Sequence, residues 1–163
     1  MFTKIYWIQN NHYGTPLGIM ARPRGNDALE DEIRNLKMRG VQVLVCLLED
    51  AEIYELGLRN EQSLCNKYGI EYLHLPIQDR GVPTSLHAVK KIVKHVQEKL
   101  RNQESAVIHC RMGIGRSSII AGAVLLDSSR TDGDVLEFIT RSRGLAVPDT
   151  EEQVHWLKHF DRS

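Results

Sequence analysis

The chain alternates between short continuous apolar runs and longer segments whose apolar residues recur every three or four positions. IYWI (Ile5 to Ile8) and LGIM (Leu17 to Met20) are short runs parted by the polar turn residues NNHYGTP, the pattern of two strands in a hairpin. After the loop ARPRGN, Leu29, Ile33 and Leu36 share one face of a helix that Asn26 or Asp27 can cap and that ends near Gly40. VQVLVCLL (Val41 to Leu48), rich in branched apolar residues, is the best buried strand in the chain. EDAEIYELGL is ambiguous, at most a short helix, and NEQSLCNKYG (Asn60 to Gly69) is a helix with Gly69 at its end. IEYLHLPI gives a further strand, followed by the loop QDRGVPTS with Gly81 and Pro83 as punctuation. From Ser85 a long helix sets Leu86, Val89, Ile92, Val93 and Val96 on one face. SAVIHC is a short strand, and GRSSIIAGAVLL is a helix without charge after its first turn, which places it centrally. TDGDVLEFITRSRG opens on a capping pattern and ends at Gly144. A last helix begins near Asp149 or Thr150 and carries Val154, Leu157 and Phe160 on one face.

Alternating strands and helices predict an α/β fold, a central, mostly parallel sheet flanked by helices, in one domain over residues 1–163. Ligands of such sheets bind beyond the carboxyl ends of the strands. Two loops with reactive residues sit there, one after SAVIH and one after YLHLPI.

Composition narrows the partners. With 21 basic and 21 acidic residues the net charge is zero, so no global field favours nucleic acid or an anionic membrane, and no nucleic acid partner is expected. No stretch has the form of a signal peptide or a membrane span. Cys46, Cys65 and Cys110 form neither a disulfide framework nor a zinc spacing. The expectation is a monomer of the cytoplasm, a reducing compartment.

The chemistry concentrates in HCRMGIGRSS, residues 109 to 118. Glycines at Gly113 and Gly115 let the backbone turn so that N–H groups converge. The helix that follows adds unpaired N–H groups and a positive dipole end. Arg116 supplies a planar fork suited to two phosphate oxygens. Together Arg111, Met112, Gly113, Ile114, Gly115 and Arg116 make a cradle for a tetrahedral dianion. The same field favours the thiolate of a cysteine at its centre, since such thiols fall to about 3.5–7.5 from about 8.5. Cys110 is then a nucleophile aimed at phosphorus, and Ser117 can donate to its sulfur when it leaves. The competing role for Ser117 is a helix cap, and His109 is expected to orient the strand end by hydrogen bonding.

HCRMGIGRS resembles the His-Cys-x2-Gly-x2-Arg-Ser/Thr motif of the cysteine-dependent protein tyrosine phosphatases, and the short chain resembles their dual-specificity branch. The likeness runs from about LGIMARPRG to the final helix, and LPIQDRGVP and RSRGLAVPDTEEQ are similar to the kinase-associated phosphatase type and small bacterial enzymes. It implies the α/β fold read above and a general acid on a nearby loop. Asp79, 31 residues before Cys110 in PIQDRGVP, matches that acid, with Gly81 and Pro83 bracketing the loop. It implies for Gln153 a part in positioning the hydrolytic water, against an exposed place on the first turn of a helix. Arg141 and Arg143 are implied as structural, bonding the loop from beneath. Cys46, near a strand end, is implied as a redox partner for Cys110, against the alternative of a small buried residue. No metal and no cofactor are implied.

The resemblance also implies the substrate, phosphorylated tyrosine and serine or threonine in a protein or peptide. The chain has no room for the recognition loop that deepens the site of the large phosphotyrosine-specific enzymes. One basic residue inside the loop, Arg111, leaves phosphoinositides and RNA 5′-phosphates as alternatives, and a phosphoprotein-binding pseudophosphatase is a third. Arg24, in the rim loop Arg22 to Gly25, and Arg80 are either substrate contacts or solvated charges.

Overall fold

The two N-terminal runs close into a hairpin, β1 (Tyr6–Ile8) antiparallel to β2 (Leu17–Met20), in a computed structural model that describes residues 1–8, 11–127 and 129–161. Asn10 of the expected turn lies outside the described residues, and Asn11 braces the turn by donating to the carbonyls of Ile8 and Thr15 at 2.9 Å. The rest of the sheet is parallel. β2 pairs with β5 (Ser105–His109), β5 with β3 (Val41–Cys46), and β3 with β4 (Glu71–His74), giving the order β1-β2-β5-β3-β4. The strand that ends at the reactive loop is therefore the middle one.

Alternation along β3 and β5 divides the core in two. Val43, Val45, Leu47, Ala106, Ile108 and Cys110 join one apolar cluster with α4 (Leu86–Arg101), α5 (Arg116–Leu125), α6 (Asp132–Arg143) and α7 (Glu151–Asp161). Leu44, Cys46, Leu48 and Val107 join the other, with α1 (Leu29–Met38) and α3 (Glu61–Lys67). Every residue of α5 is buried, as its lack of charge after the first turn predicts. Each fully buried Ile, Leu or Val there contributes about 1.5–3 kcal/mol, so α5 is fixed against the sheet and its N-terminus is a rigid platform.

EDAEIYE resolves into a helix, α2 (Asp50–Glu55), entered through a capping box between Glu49 and Glu52. The expected box at Thr131 and Asp134 is present, and Gly144 closes α6 at φ 85°. Three expectations need correction. Asn26 and Asp27 do not cap α1: they open a short 3-10 turn, Asn26 at φ 53°, and α1 starts after Ala28 without a side-chain cap. Leu86 is exposed because it opens α4 ahead of the buried face formed by Val89, Val93 and Val96. Strands β3 and β4 stop at Cys46 and His74, short of the apolar runs, since the chain fans out there into the site loops. Single backbone bonds still tether it, Leu47 N–H to His109 and Ile77 N–H to Leu47.

Candidate active site

Cys110 is the first residue past β5, and α5 begins at Arg116 with Gly115 as its cap residue. The loop between them is held from outside. Arg22 N–H donates to the Arg111 carbonyl at 3.2 Å, and Arg143 donates to the carbonyls of Gly113 at 3.0 Å and Met112 at 3.3 Å. In a planar trans peptide the N–H points opposite to the C=O, so these bonds aim successive N–H groups the other way, as an anion cradle requires. Gly113 has φ 70° and lies so near β2 that a Cβ would stand 2.5 Å from the Met20 carbonyl carbon. Only glycine fits there. Arg143 thus fills the role implied for it, with its guanidinium 3.9 Å over the Tyr6 ring. Arg141 does not: it is exposed and pairs with Glu137 one turn back on α6, facing away from the loop.

The Cys110 sulfur lies 3.3 Å from the Ser117 hydroxyl, within the buried first turn of α5. The cap position belongs to Gly115, so Ser117 is free of that competing role. His109 is fully buried and lies across the sheet from Cys110, its Nε2 2.8 Å from Glu61 and its Nδ1 3.3 Å from the Cys110 carbonyl.

Arg116 is 1% exposed, yet carries a full charge. Its NH1 donates to Glu52 Oε1 at 2.7 Å and to the Ile77 carbonyl at 2.8 Å, and its NH2 donates to Glu52 Oε2 at 3.0 Å and Asp79 Oδ1 at 3.1 Å. A two-pronged carboxylate pair of this kind fixes the plane of the fork. Burial pushes against the charge of Arg116, and Glu52, Cys110 and Asp79 outweigh it. Burial likewise pushes the Glu52 carboxyl up, but hydrogen bonds from Arg116, the Glu49 N–H and Arg111 hold it below the usual carboxylate range. The structure therefore brings Asp79, with 55% of its side chain exposed, onto the same guanidinium that reaches the cradle.

Arg111 turns outward to Glu52 at 3.3 Å and Glu55 at 3.4 Å, so the one basic side chain between Cys110 and Arg116 is matched by two carboxylates. Arg24 donates to the buried Glu32 at 2.8 Å, which makes it a structural ion pair. Arg80 adopts φ 60° in the Asp79 turn and is exposed.

Gln153 is not exposed on α7 but fully buried. Its Oε1 accepts from the N–H groups of Asp149 and Thr150, and its Nε2 donates to the Gly81 carbonyl at 3.0 Å. Those bonds tie α7 to the Asp79 loop and occupy both ends of the amide. Cys46 does not face Cys110 in this arrangement. It pairs in register with His109, and its side chain enters the cluster on the opposite face of the sheet, where Leu47 is the neighbour that shares the Cys110 face. Side chains directed to opposite faces cannot be bridged without moving the strand.

Two residues escaped the sequence reading. Glu52 lay in a segment too short to assign, although the E-x-x-E spacing of its capping box was visible. Glu61 gave no signal, since its partner His109 is 48 residues away.

Residues 18–129 match the family model described as Tc-R-P, polymorphic toxin system, DSP-PTPase phosphatase. The cyclin-dependent kinase inhibitor 3 of Rattus norvegicus is 27% identical over 134 residues, 81% of this chain and 63% of the relative, so the chain spans under two thirds of that relative's length. The fold superposes on a crystal structure of kinase associated phosphatase, its catalytic-site cysteine substituted by serine, with TM-score 0.86 and 23% identity over 98% of this chain and 94% of the other. The active form of Tk-PTP superposes with TM-score 0.76 and 26% identity over 97% and 96%. With a central cysteine loop of this geometry and a family match over more than half its length, the chain belongs to the dual-specificity phosphatase family of cysteine-dependent protein tyrosine phosphatases.

Proposed function

We propose that this protein hydrolyses phosphate monoesters of tyrosine and of serine or threonine in proteins, through a cysteinyl-phosphate intermediate. The observation that carries the reading is the convergence of Cys110, Ser117, Arg116 and Asp79 at the end of the middle strand. In the first step the Cys110 thiolate attacks phosphorus and the P–O bond to the leaving group breaks. Asp79 as the acid gives its proton to the departing oxygen, while Arg116 and the loop N–H groups hold the equatorial oxygens. In the second step water attacks the phosphocysteine, the Asp79 carboxylate takes its proton, and the Cys110 sulfur leaves as thiolate with the Ser117 hydroxyl as donor. Gln153 acts by holding the Asp79 loop. The pairing of Arg111 with Glu52 and Glu55 supports a protein substrate over a phosphoinositide, because it leaves no unmatched cation inside the loop for further phosphates. The reading also places the protein in a reducing compartment, where Cys110 stays a thiol.

The test is hydrolysis of p-nitrophenyl phosphate and of a phosphopeptide and phosphoinositide panel. Wild type should turn over the aryl phosphate and the peptides, with chelator present, and Cys110→Ser should turn over neither. An inactive wild type overturns the activity, a Cys110→Ser variant that keeps its rate overturns the mechanism, and a preference for phosphoinositides overturns the substrate class.

A further inference from the structure

Behind the phosphate loop, on the far face of the sheet, lies a polar group in an otherwise apolar layer. Glu61 opens α3 and is 1% exposed, and His109 ends β5 and is fully buried. Cys46 completes the cluster, with one ligand-type atom of each residue within 4.8 Å of the others. One Glu61 oxygen meets His109 Nε2 at 2.8 Å, and the other, Oε1, is buried with no hydrogen-bond partner. A buried carboxylate is costly unless it is paired, and an orphan oxygen adds to that cost. Metal binding does not account for it. Two ligands of a tetrahedral zinc stand about 3.3 Å apart, from bonds of about 2.0–2.1 Å, whereas this pair sits at hydrogen-bond distance.

The other end of the imidazole explains the arrangement. His109 Nδ1 faces the Cys110 carbonyl at 3.3 Å. Both ring nitrogens therefore face acceptors, and only the doubly protonated ring donates to both. The other group beside the ring is Cys46 from β3. Cys65 from α3 and the Tyr72 hydroxyl from β4 lie near Cys46 and Glu61. Burial raises the Cys65 thiol and the Tyr72 hydroxyl, keeping both neutral. Burial pushes the imidazole toward neutrality, but the Glu61 carboxylate and Cys46 outweigh it and hold His109 well above its ordinary 6.5.

We propose that Glu61 is a positioning residue for Cys110, acting through His109: it keeps a cation one residue from the nucleophile and binds the Cys110 carbonyl to the face away from the thiol. This rests on the phosphatase reading for its purpose, but not for its test. Alkylation of Cys110 by iodoacetamide, followed by mass spectrometry, reads the thiolate without any substrate. Across a pH series the alkylation rate of Glu61→Gln should rise at higher pH than that of wild type, about tenfold lower where both thiols are mostly protonated, the ratio that one unit of thiol ionisation gives, and the two should converge once both are ionised. In wild type, the nitrogen resonances of His109 should report both nitrogens protonated above pH 7. Superimposable alkylation profiles over the whole pH series in a folded Glu61→Gln variant would overturn the proposal. So would a wild-type His109 that deprotonates near pH 6.5, a result that needs no variant to fold. A wild type that alkylates as expected and yet hydrolyses no phosphate ester would count against the phosphatase reading alone.

Discussion

Arg116 shares one guanidinium between two carboxylates with different exposure. Glu52 is buried, held on both prongs and bonded also by Arg111, while Asp79 touches one nitrogen and stays open to solvent. On the proposed mechanism a phosphate entering the cradle competes with Asp79 for that nitrogen and leaves the Glu52 pair intact. Asp79 is then freed beside the leaving group, where an acid is needed. Replacing Asp79 by Ala should lower kcat for an aliphatic or phenyl phosphate by about 10²–10³-fold, the usual worth of a general acid. The loss for p-nitrophenyl phosphate should be smaller, since that leaving group departs as a stable anion. Steady-state rates over a series of leaving groups check this, and a slope unchanged by the substitution would remove Asp79 from the chemistry. The loop from His109 to Ser118 was legible in the sequence because an anion cradle needs fixed residue types at fixed spacing, whereas Asp79 was proposed only through the family resemblance. Glu52 was not legible, because the pairing that matters crosses 64 residues and depends on where α2 packs.

The elements around the loop divide the work of holding it. α5 supplies the platform, α6 holds the loop carbonyls through Arg143, α2 aims Arg116 through Glu52, and α7 tethers the acid loop through Gln153. Helices with a strong apolar stripe, such as α1 and α4, were readable from periodicity, and so was α5 from its unbroken apolar run. α2 has six residues and one apolar side chain packed on the core, Ile53, so its pattern was too brief to assign. Its function nevertheless exceeds its packing. Glu52→Ala should leave Arg116 charged but unaimed, raising the KM for p-nitrophenyl phosphate and the inhibition constant of inorganic phosphate together, each by about tenfold, the worth of one charge-assisted bond. A fall in kcat with both constants unchanged would contradict a binding role. Gln153→Ala makes a different signature, since it strips three hydrogen bonds in a buried place. At about 1 kcal/mol for each unsatisfied group, and about 2–4 °C of Tm per kcal/mol for a domain of this size, a drop of several degrees is expected by calorimetry. Hydrolysis of the cysteinyl intermediate should slow only as far as the Asp79 loop loosens, and a large burst of product at unchanged Tm would instead put Gln153 on the water.

Two buried ion pairs, Glu52 with Arg116 and Glu61 with His109, respond to pH in opposite senses, and both contribute to how stability varies with pH. Glu52 is depressed in the folded state, so its contribution is complete above the unfolded value of about 4.5 and is lost as pH falls below it. His109 is raised in the folded state, so its contribution is complete below about 6.5 and is lost as pH rises through the folded value, where the unfolded chain has already released the proton. Stability should therefore peak between these limits, on the acid side of neutrality, although the net formal charge at pH 7 is zero. A one-proton difference gives a slope of at most about 1.4 kcal/mol per pH unit, enough to move a urea midpoint measurably between pH 6.5 and 8.5. In a Cys110→Ser background, which removes the opposing titration of the nucleophile's thiol, the midpoint should fall over that interval, while adding Glu61→Gln should start lower and stay nearly flat. The acid limb should be the same in both, because the Glu52 pair with Arg116 shares no hydrogen bond with Glu61. In the Cys110→Ser background, a midpoint that does not fall from pH 6.5 to 8.5 would show a neutral imidazole in the folded state. The buried pair would then be only a packing feature behind the nucleophile, without the charge that couples it to Cys110.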